Sequence, residues 1–526
     1  MPIRARSGYF NFIIMYKILQ FFLLFLFPFL LAAQKYDNIW ISGYSGSDMP
    51  EPPNGWNWFS FEENGEWSVE YNTEIGVHMV RANLSMSDYD GNLIFYSNGR
   101  SIYNSAYEIM EGGEVINPGE IRESFSAYYP RNQNLFCLPN PDGNPDSYYL
   151  FHYGLVPPYE ESGYRIDKIY VTEIDMSEND GSGKAVNANT ILTEGSFDIF
   201  AATRHGNGRD WWIIIPDMFE SAFHRFLVSP AGISERETQY IAKIPLKDKA
   251  QKRFSRDGSM YATFDSFHGL GIYNFDRCTG LLSNPRLVDY SQQEQLYHGG
   301  GLDISPNNRF LYVTYYNVLY QYDLWEEDLA NSYTVITPPE AETLGGTYHT
   351  QYGPDGRLYI STASHFSDFE TGRAYHIIDR PDEKGAACNL LFNEAQLFTF
   401  INSGLAYFPN YRLYDLHDSP CDTLGIDGAP PPPVSVKEET VTAEGFTVVP
   451  NPAADAITIQ LTDETATGRQ VNVFLLNHLG QTVKQLTVNA GQNLHLNVSD
   501  TAPGTYYLQL QTAAQTYPAQ KLVIIK

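Results

Sequence analysis

The chain reads Ser305-Pro306-Asn307-Asn308, then Phe310-Leu311-Tyr312-Val313-Thr314, then Leu319-Tyr320-Gln321-Tyr322-Asp323-Leu324, which is a tight turn followed by two apolar strands. The same arrangement begins at Ser255 and at Gly353, so the unit repeats with a period of about 50 residues. Repeats of this length are typical of propeller blades, in which each unit is one small antiparallel sheet. The sequence therefore predicts a β-propeller in the middle of the chain.

Looser copies of the unit precede the three clear ones. Each has a dipeptide that supplies the positive φ angles of tight hairpin turns, followed by an apolar run. These dipeptides are Asp90-Gly91, Asp142-Gly143 and Asn207-Gly208. We expect a seventh unit to be shared between Asn38–Ile41 and the far segments Phe398–Phe400 and Leu405–Phe408, because sharing closes the ring and removes exposed strand edges. The prediction is an all-β chain with a seven-bladed propeller over residues 34–424.

Composition excludes some partners. The 526 residues include 34 Lys and Arg and 62 Asp and Glu, which gives a net charge of −28. This charge repels polyphosphate backbones and anionic lipid headgroups, so nucleic acid and bare membrane are not expected partners. The aromatic share of 14%, with 41 Gly and 31 Pro, favours short strands and tight turns over helices.

The N-terminus has the pattern of an export signal. Tyr16-Lys17 precedes an uncharged apolar run over Ile18–Leu31, and Ala32-Ala33 offers a small-residue cleavage site. The run is too short for a membrane-spanning helix, so residues 1–33 are predicted to be a cleaved signal peptide and the mature chain to have no transmembrane segment. Translation from Met15 would give a more compact signal with Lys17 as its charged head.

A second, smaller domain is predicted at the C-terminus. Pro430–Pro433 forms a stiff spacer within a Pro-rich linker at residues 425–445. Residues 446–526 then contain about seven short runs of alternating apolar and polar residues, a pattern that predicts a small immunoglobulin-like sandwich. The runs Val471-Asn472-Val473-Phe474 and Leu494–Val498 show this alternation.

Both predicted domains resemble known proteins. The ends Val448-Val449-Pro450-Asn451-Pro452 and Lys521–Lys526 resemble the type A C-terminal sorting domain of the type IX secretion system of Gram-negative bacteria. The larger predicted domain resembles secreted propellers that are fused to such domains. The segments that carry this resemblance are Arg204–Trp212, Leu319–Leu324 and Ser419–Leu424. The resemblance implies a protein that is exported through the periplasm, contacts the type IX machinery, and is released or held at the outer cell surface. The propeller resemblance implies no single activity.

Candidate binding residues come from the repeat register. Alignment on Ser255, Ser305 and Gly353 places Arg253, Asp303 and Gln351 at one position of the predicted inner strands. Their mixed polarity suits a wet channel mouth that holds a small ligand or a sugar. His205, near another inner strand, joins them as a candidate. The alternative is that these groups satisfy each other and channel water.

The predicted export would carry the four cysteines of the chain into an oxidising compartment, where disulfides form. We predict a bridge between Cys388 and Cys421, because both lie near the end of the large domain and would hold its closing strand. Four buried free thiols are the alternative.

Motifs for catalysis or metal binding are weak. Asp88-Tyr89-Asp90-Gly91-Asn92 lacks the late Glu of a calcium loop and reads as a hairpin turn, so no metal, cofactor or catalytic residue is predicted. We therefore predict an exported propeller that binds a protein, glycan or small ligand. The alternative is an extracellular hydrolase or lyase that acts on a polysaccharide or other polymer in the central channel. Three or more converging carboxylates and histidines would favour the enzyme, and isolated polar groups would favour binding.

Overall fold

The computed structural model describes residues 34–424 and 446–524 with gaps. The gaps are residues 45–54, 63–64, 132, 134, 158–163, 248–249, 291–299, 316–317, 338–345, 363–371, 402–403, 452, 455, 462–469, 478–481, 490–492, 500, 503, 513–516 and 518. The predicted signal peptide and the predicted linker at 425–445 lie outside the described residues. The described chain falls into two compact units, one on each side of residues 425–445.

The larger unit contains seven antiparallel sheets within the described residues. Sheet 1 is β1 (Ile39–Tyr44), β2 (Gly55–Phe61) and β3 (Trp67–Asn72); sheet 2 is β4 (Leu84–Ser87), β5 (Leu93–Ser97) and β6 (Ile102–Asn104). A short helix, α1 (Glu120–Ser124), precedes sheet 3, which is β7 (Leu135–Pro139), β8 (Ser147–Val156), β9 (Arg165–Asp175) and β10 (Lys184–Phe197). Sheet 4 is β11 (Ala201–Arg204), β12 (Trp211–Pro216), β13 (Ala222–Ser229), β14 (Gly232–Ile233) and β15 (Glu237–Tyr240).

The three clear sequence repeats form the last three sheets. Sheet 5 is β16 (Lys252–Phe254), β17 (Met260–Asp265), β18 (Gly269–Asp276) and β19 (Leu281–Asp289). Sheet 6 is β20 (Leu302–Ile304), β21 (Phe310–Tyr315), β22 (Val318–Asp323) and β23 (Tyr333–Val335). Sheet 7 is β24 (Thr350–Tyr352), β25 (Leu358–Ser361), β26 (Ala374–Ile378) and β27 (Leu390–Gln396). In each, neighbouring strands follow chain order.

The repeated turn has one conformation in all three copies. Its fourth residue, Gly258, Asn308 or Gly356, has a φ of 71°, 59° or 82°. Glycine and asparagine tolerate this left-handed region better than other residues. The side chain of the third turn residue accepts a hydrogen bond from the backbone N–H two positions later, as Asn307 Oδ1 does from the Arg309 N–H at 3.0 Å. Turn chemistry therefore explains why the repeats fold alike.

The first strands of most successive sheets pack against one another. β1 contacts β4, β4 contacts β7, β11 contacts β16, β16 contacts β20, and β20 contacts β24. The residues of β4, β11 and β24 are all buried, whereas most residues of β15 and β19 are exposed or half-buried. Burial thus decreases from the first strand of a sheet to its last strand.

Sheet 7 also contacts sheet 1. The rings of Trp40 and Tyr359 meet edge to face with centroids 5.2 Å apart. The fully buried Asn57 donates from Nδ2 to the Thr399 carbonyl at 3.2 Å, and its Oδ1 accepts from the Thr399 N–H at 3.0 Å. The last sheet and the segment after it therefore pack directly on the first sheet.

The predicted sharing of a blade is wrong. β1 pairs with β2, and β2 with β3, so the first sheet is built from one continuous stretch of chain. Phe398–Phe400 and Leu405–Phe408 do not lie in strands. The physical reason is local. Gly65, with a φ of 79°, lies between β2 and β3, which form a hairpin, and β2 of this hairpin is the partner of β1.

The predicted bridge between Cys388 and Cys421 is also wrong. Cys421 is bonded to Cys278, with Cα atoms 5.5 Å apart, and Cys388 is a buried free thiol beside β27. The reason is the path of the chain after sheet 7, which leads Cys421 away from the last sheet to the turn after β18. Proximity in sequence did not predict proximity in space.

The smaller unit is described by itself. Its strands are β28 (Phe446–Val449), β29 (Ala456–Leu461), β30 (Gln470–Leu476), β31 (Thr482–Asn489), β32 (Asn493–Asn497), β33 (Gly504–Gln511) and β34 (Gln520–Ile524). They form two antiparallel sheets, in the orders β28-β29-β32 and β31-β30-β33-β34. Ile459, Val473 and Leu508 belong to one apolar core between strands of both sheets. The predicted alternation is therefore confirmed in β30 and β32, and the immunoglobulin-like topology stays a prediction.

The described residues include no helix with the length and apolarity needed to cross a membrane.

Candidate functional site

The chain after sheet 7 crosses the larger unit as a closing segment, which we define as residues 404–424. Asn410 Nδ2 donates to the Arg256 carbonyl at 2.6 Å, and Tyr411 Oη donates to the Cys137 carbonyl at 2.6 Å. Further along, the Leu416 N–H donates to the Gly206 carbonyl at 2.7 Å. The disulfide from Cys421 to Cys278 holds its end. The segment thus contacts sheets 3, 4 and 5.

A cavity of about 40 Å³ lies between the closing segment and the first strands. This is space for about three water molecules. The polar residues that matter for its chemistry are Arg253, Arg256, Asp303, Gln351, Tyr352 and Asn410.

Arg253, Asp303 and Gln351, which the repeat register aligned, all line this cavity. Each is the middle residue of a three-residue first strand, in β16, β20 and β24. Equivalent positions in neighbouring strands point the same way, so the repeat brings three different polar groups together. Their role in binding stays a prediction.

Arg253 holds the group together. Its Nη1 donates to Gln351 Oε1 at 2.9 Å, and its Nη2 donates to the Thr350 carbonyl. The guanidinium carbon lies 4.4 Å from the centre of the Tyr407 ring, a cation–π distance. Its Nε lies 3.6 Å from Asp303 Oδ2, which is too long for a hydrogen bond, and this buried N–H has no acceptor among the described residues.

Asp303 is a carboxyl group that resists ionisation. Burial raises its pKa to about 6, and the opposing effects of Arg253, the Ile304 N–H and Arg256 are smaller. Only 4% of the residue is exposed. The group therefore changes charge near neutral pH.

Arg256 lies in the turn after β16, with its guanidinium carbon 5.0 Å from the centre of the Tyr352 ring. Burial lowers its pKa from the usual value, and nearby Tyr352 opposes this. In the part of the chain that the structure describes, its guanidinium has no hydrogen bond or ion pair. The buried hydroxyl of Tyr352 likewise has no partner among the described groups.

A neutralised pair lies beside these groups. Arg412 Nη1 donates to both carboxylate oxygens of Asp37, at 2.5 and 2.7 Å. Asp37 lines the cavity but is committed to this partner.

His205 lies elsewhere. It follows β11, where its Nδ1 accepts from the Asn207 N–H at 2.9 Å and its Nε2 lies 3.1 Å from the Cys278 carbonyl oxygen. Burial lowers its pKa. The structure therefore separates His205 from the three residues that it brings together, and these contacts order the turn beside the disulfide.

Sequence reasoning missed Arg256, Tyr352 and the closing segment. One difference was visible at the second position of the repeated turn. The second and third clear repeats have Pro306 and Pro354 there, and the first clear repeat has Arg256. Type I turns accept most residues at this position, so the arginine alone did not identify a binding residue. The closing segment had no comparable signal.

One other cluster has metal-ligand chemistry. Asp415, His417 and Asp422 place potential ligand atoms within 4.8 Å of one another in the closing segment. His417 is mostly exposed, with its ring nitrogens 3.5 Å from Asp418 Oδ2 and 3.8 Å from Asp422 Oδ2, which are ordinary surface contacts.

Comparison with known families identifies the smaller unit. Residues 447–526 match the secretion system C-terminal sorting domain. This type IX sorting domain indicates export to the cell surface or the extracellular space, and implies contact with the type IX machinery. The match does not include the cavity.

No curated protein has a significant match to the chain. Among solved structures, a putative 6-phosphogluconolactonase from Bacteroides uniformis has 12% identity and a TM-score of 0.41, over 69% of this chain and 98% of that one. A luciferin-regenerating enzyme has 10% identity and a TM-score of 0.31, over 71% and 97%. The extracellular domain of a putative hybrid two-component system from B. thetaiotaomicron has 11% identity and a TM-score of 0.24, over 94% of this chain and 77% of that one. At these scores, none supports an argument about activity.

Proposed function

We propose that residues 34–424 form a closed seven-bladed β-propeller, joined by a linker at 425–445 to the sorting domain at 446–526. The seven sheets are the blades, and their first strands surround the axis. Two observations support this: the side-by-side packing of first strands in chain order, and the packing of sheet 7 on sheet 1. Closure in this way leaves no inner strand edge open to solvent.

We further propose that this exported propeller is a binding protein, with its ligand in the cavity beneath the closing segment. The observation that carries the proposal is the convergence of Arg253, Asp303 and Gln351, from three consecutive sheets, on one cavity. The volume favours a small ligand, or one chemical group of a larger glycan or protein.

Hydrolysis has less support. Among the described residues that line the cavity, the titratable acids are Asp37 and Asp303, and there is no histidine. Asp37 is paired with Arg412, which leaves one carboxyl group for chemistry. Glycoside hydrolysis uses two, so these groups favour binding over an enzyme that cleaves a polymer.

A filled cavity tests the proposal. Ala202 lines the cavity, and A202L adds three carbon atoms there. The matched control is A231L, in the exposed turn between β13 and β14. We expect a panel of small acids, amines, sugars and amides to include a ligand of the unaltered chain and of A231L, measured by thermal shift and calorimetry. A202L should lose that ligand while it keeps its circular dichroism spectrum. Equal binding by A202L, or no ligand in the panel, would overturn the proposal.

A further inference from the structure

We propose that the cavity binds an oxyanion group, namely the carboxylate, sulfate or phosphate of its ligand, between Arg256 and the Nε–H of Arg253. This inference rests on the proposed binding function and specifies the chemistry of the ligand.

Two donors of the cavity, Arg253 Nε and the Tyr352 hydroxyl, make no hydrogen bond to a described residue, and the first lies 3.6 Å from the acceptor Asp303 Oδ2. Buried polar groups in proteins are nearly always paired. Yet the Nε–H of Arg253, whose side chain is 4% exposed, has no acceptor among the described residues. Arginine has only donors, so the missing partner of Arg253 must be an acceptor. The unpaired hydroxyl of Tyr352 lines the same cavity and is also able to donate.

Arg256 adds a second set of donors. Its guanidinium carbon lies over the Tyr352 ring, 5.0 Å from the ring centre, as in a cation–π contact. None of its guanidinium N–H groups donates a hydrogen bond to a described residue, so these donors are able to bind an anion. A planar fork of this kind matches two oxygens of a carboxylate, sulfate or phosphate.

The charges also favour an anion. Asp37 and Arg412 cancel each other, and Asp303 when ionised cancels one of the two cavity arginines. One positive charge remains, in a chain whose net charge is −28. Arg256 is partly buried, and a bound anion would neutralise a charge that has lost part of its hydration.

Size narrows the ligand group further. A cavity of about 40 Å³ has room for about three water molecules, which is the size range of a single carboxylate or tetrahedral oxyanion. A whole sugar ring is larger than this volume, so the remainder of a larger ligand would lie outside the cavity.

Asp303 makes anion binding depend on pH. The groups that face it are Arg253 from β16, Arg256 from the next turn, Tyr352 from β24 and Tyr407 from the closing segment. Its pKa of about 6 means that acidification removes the negative charge nearest to the two arginines. An anion should therefore bind more tightly at pH 5 than at pH 8.

Calorimetry on the chain from Gln34 to Lys526 tests the inference. Sulfate is the main probe, because its charge does not change between pH 5 and 8, and dimethyl sulfone is its neutral counterpart. Acetate and acetamide form the second pair and distinguish a carboxylate from a tetrahedral oxyanion. We expect one of the two anions to bind, with R256Q weakening it about tenfold or more. R380Q, which removes an exposed arginine after β26 and the same charge, should not alter it.

The pH profile separates direct binding from structural damage. D303N should bind sulfate more tightly than the unaltered chain at pH 8, and its affinity for sulfate should not vary between pH 5 and 8. Equal affinity in R256Q and the unaltered chain would overturn the inference, as would an unchanged profile in D303N. Binding of a neutral probe but of neither anion would overturn the anion site and leave the proposed binding function intact. If the broader panel also fails, both fall.

Discussion

Arg253 donates from Nη1 to Oε1 of Gln351 at 2.9 Å, although 98 positions separate the two residues in the chain. One lies in the first strand of sheet 5 and the other in the first strand of sheet 7. Gln351 Oε1 also accepts from the Phe408 N–H at 3.1 Å, so the same oxygen joins two sheets to the closing segment. The cavity wall is thus a shared hydrogen-bond network.

Loss of that oxygen should destabilise the larger unit. Q351L keeps the approximate size of the side chain but leaves Arg253 Nη1 and the Phe408 N–H without acceptors. We expect the free energy of unfolding to fall by about 2 kcal/mol, measured by urea denaturation. Q396L, at the exposed end of β27, is the control and should change it by less than about 0.5 kcal/mol. Equal effects of the two substitutions would contradict the network.

The raised pKa of Asp303 predicts a pH-dependent effect of D303N. Between pH 4 and 6 the folded protein keeps a proton that the unfolded chain releases, so this group's contribution to stability falls as the pH rises through that window. D303N removes the ionisable group. Relative to the unaltered chain, it should gain about 2 kcal/mol of stability between pH 4 and pH 7. Urea denaturation at several pH values measures this, and a constant difference would refute it.

The disulfide should stabilise the closing segment. C421S removes the covalent link to Cys278, and we expect the free energy of unfolding to fall by about 2–5 kcal/mol. Limited proteolysis should then cut the closing segment early. C388A, which alters a buried free thiol, is the control and should leave that segment resistant. Peptide mapping without reduction should recover Cys278 linked to Cys421, and a peptide that links Cys388 to Cys421 would disprove this pairing.

The contact between sheet 1 and the segment after sheet 7 depends on Asn57. N57A leaves the N–H and carbonyl of Thr399 unpaired in a buried position, so the free energy of unfolding should fall by about 2–4 kcal/mol. S60A, in the same strand, removes one partly buried hydroxyl contact with Ser68 and should cost less than about 1 kcal/mol. Urea denaturation compares the two. An effect of N57A no larger than that of S60A would argue against closure at this contact.

Removal of the sorting domain should stop export at the periplasm. A chain that ends at residue 445 keeps the predicted signal peptide but lacks the region that matches the sorting family. Cell fractionation should find the full chain at the surface or in the medium and the truncated chain in the periplasm. The truncated chain in the medium at the level of the full chain would show that another signal directs its release.

Local patterns in the sequence were enough to predict much of this protein. The repeated turn depends on residues that are neighbours in the chain, such as Asn307 and Asn308, so its conformation and the strands beside it follow from sequence. The register of the repeat placed Arg253, Asp303 and Gln351 at equivalent positions for the same reason. The alternation in β30 predicted a unit with one buried face, and the matched sorting family agrees with the predicted export route.

Tertiary structure alone decided how distant segments meet. The sequence contains Cys278, Cys388 and Cys421, but only the path of the closing segment selects Cys278 as the partner of Cys421. The same path builds one wall of the cavity beside β16, where the Arg256 guanidinium has no hydrogen bond or ion pair with a described residue. Such contacts depend on the packing of the whole unit, because no short-range rule relates residues that lie more than a hundred positions apart.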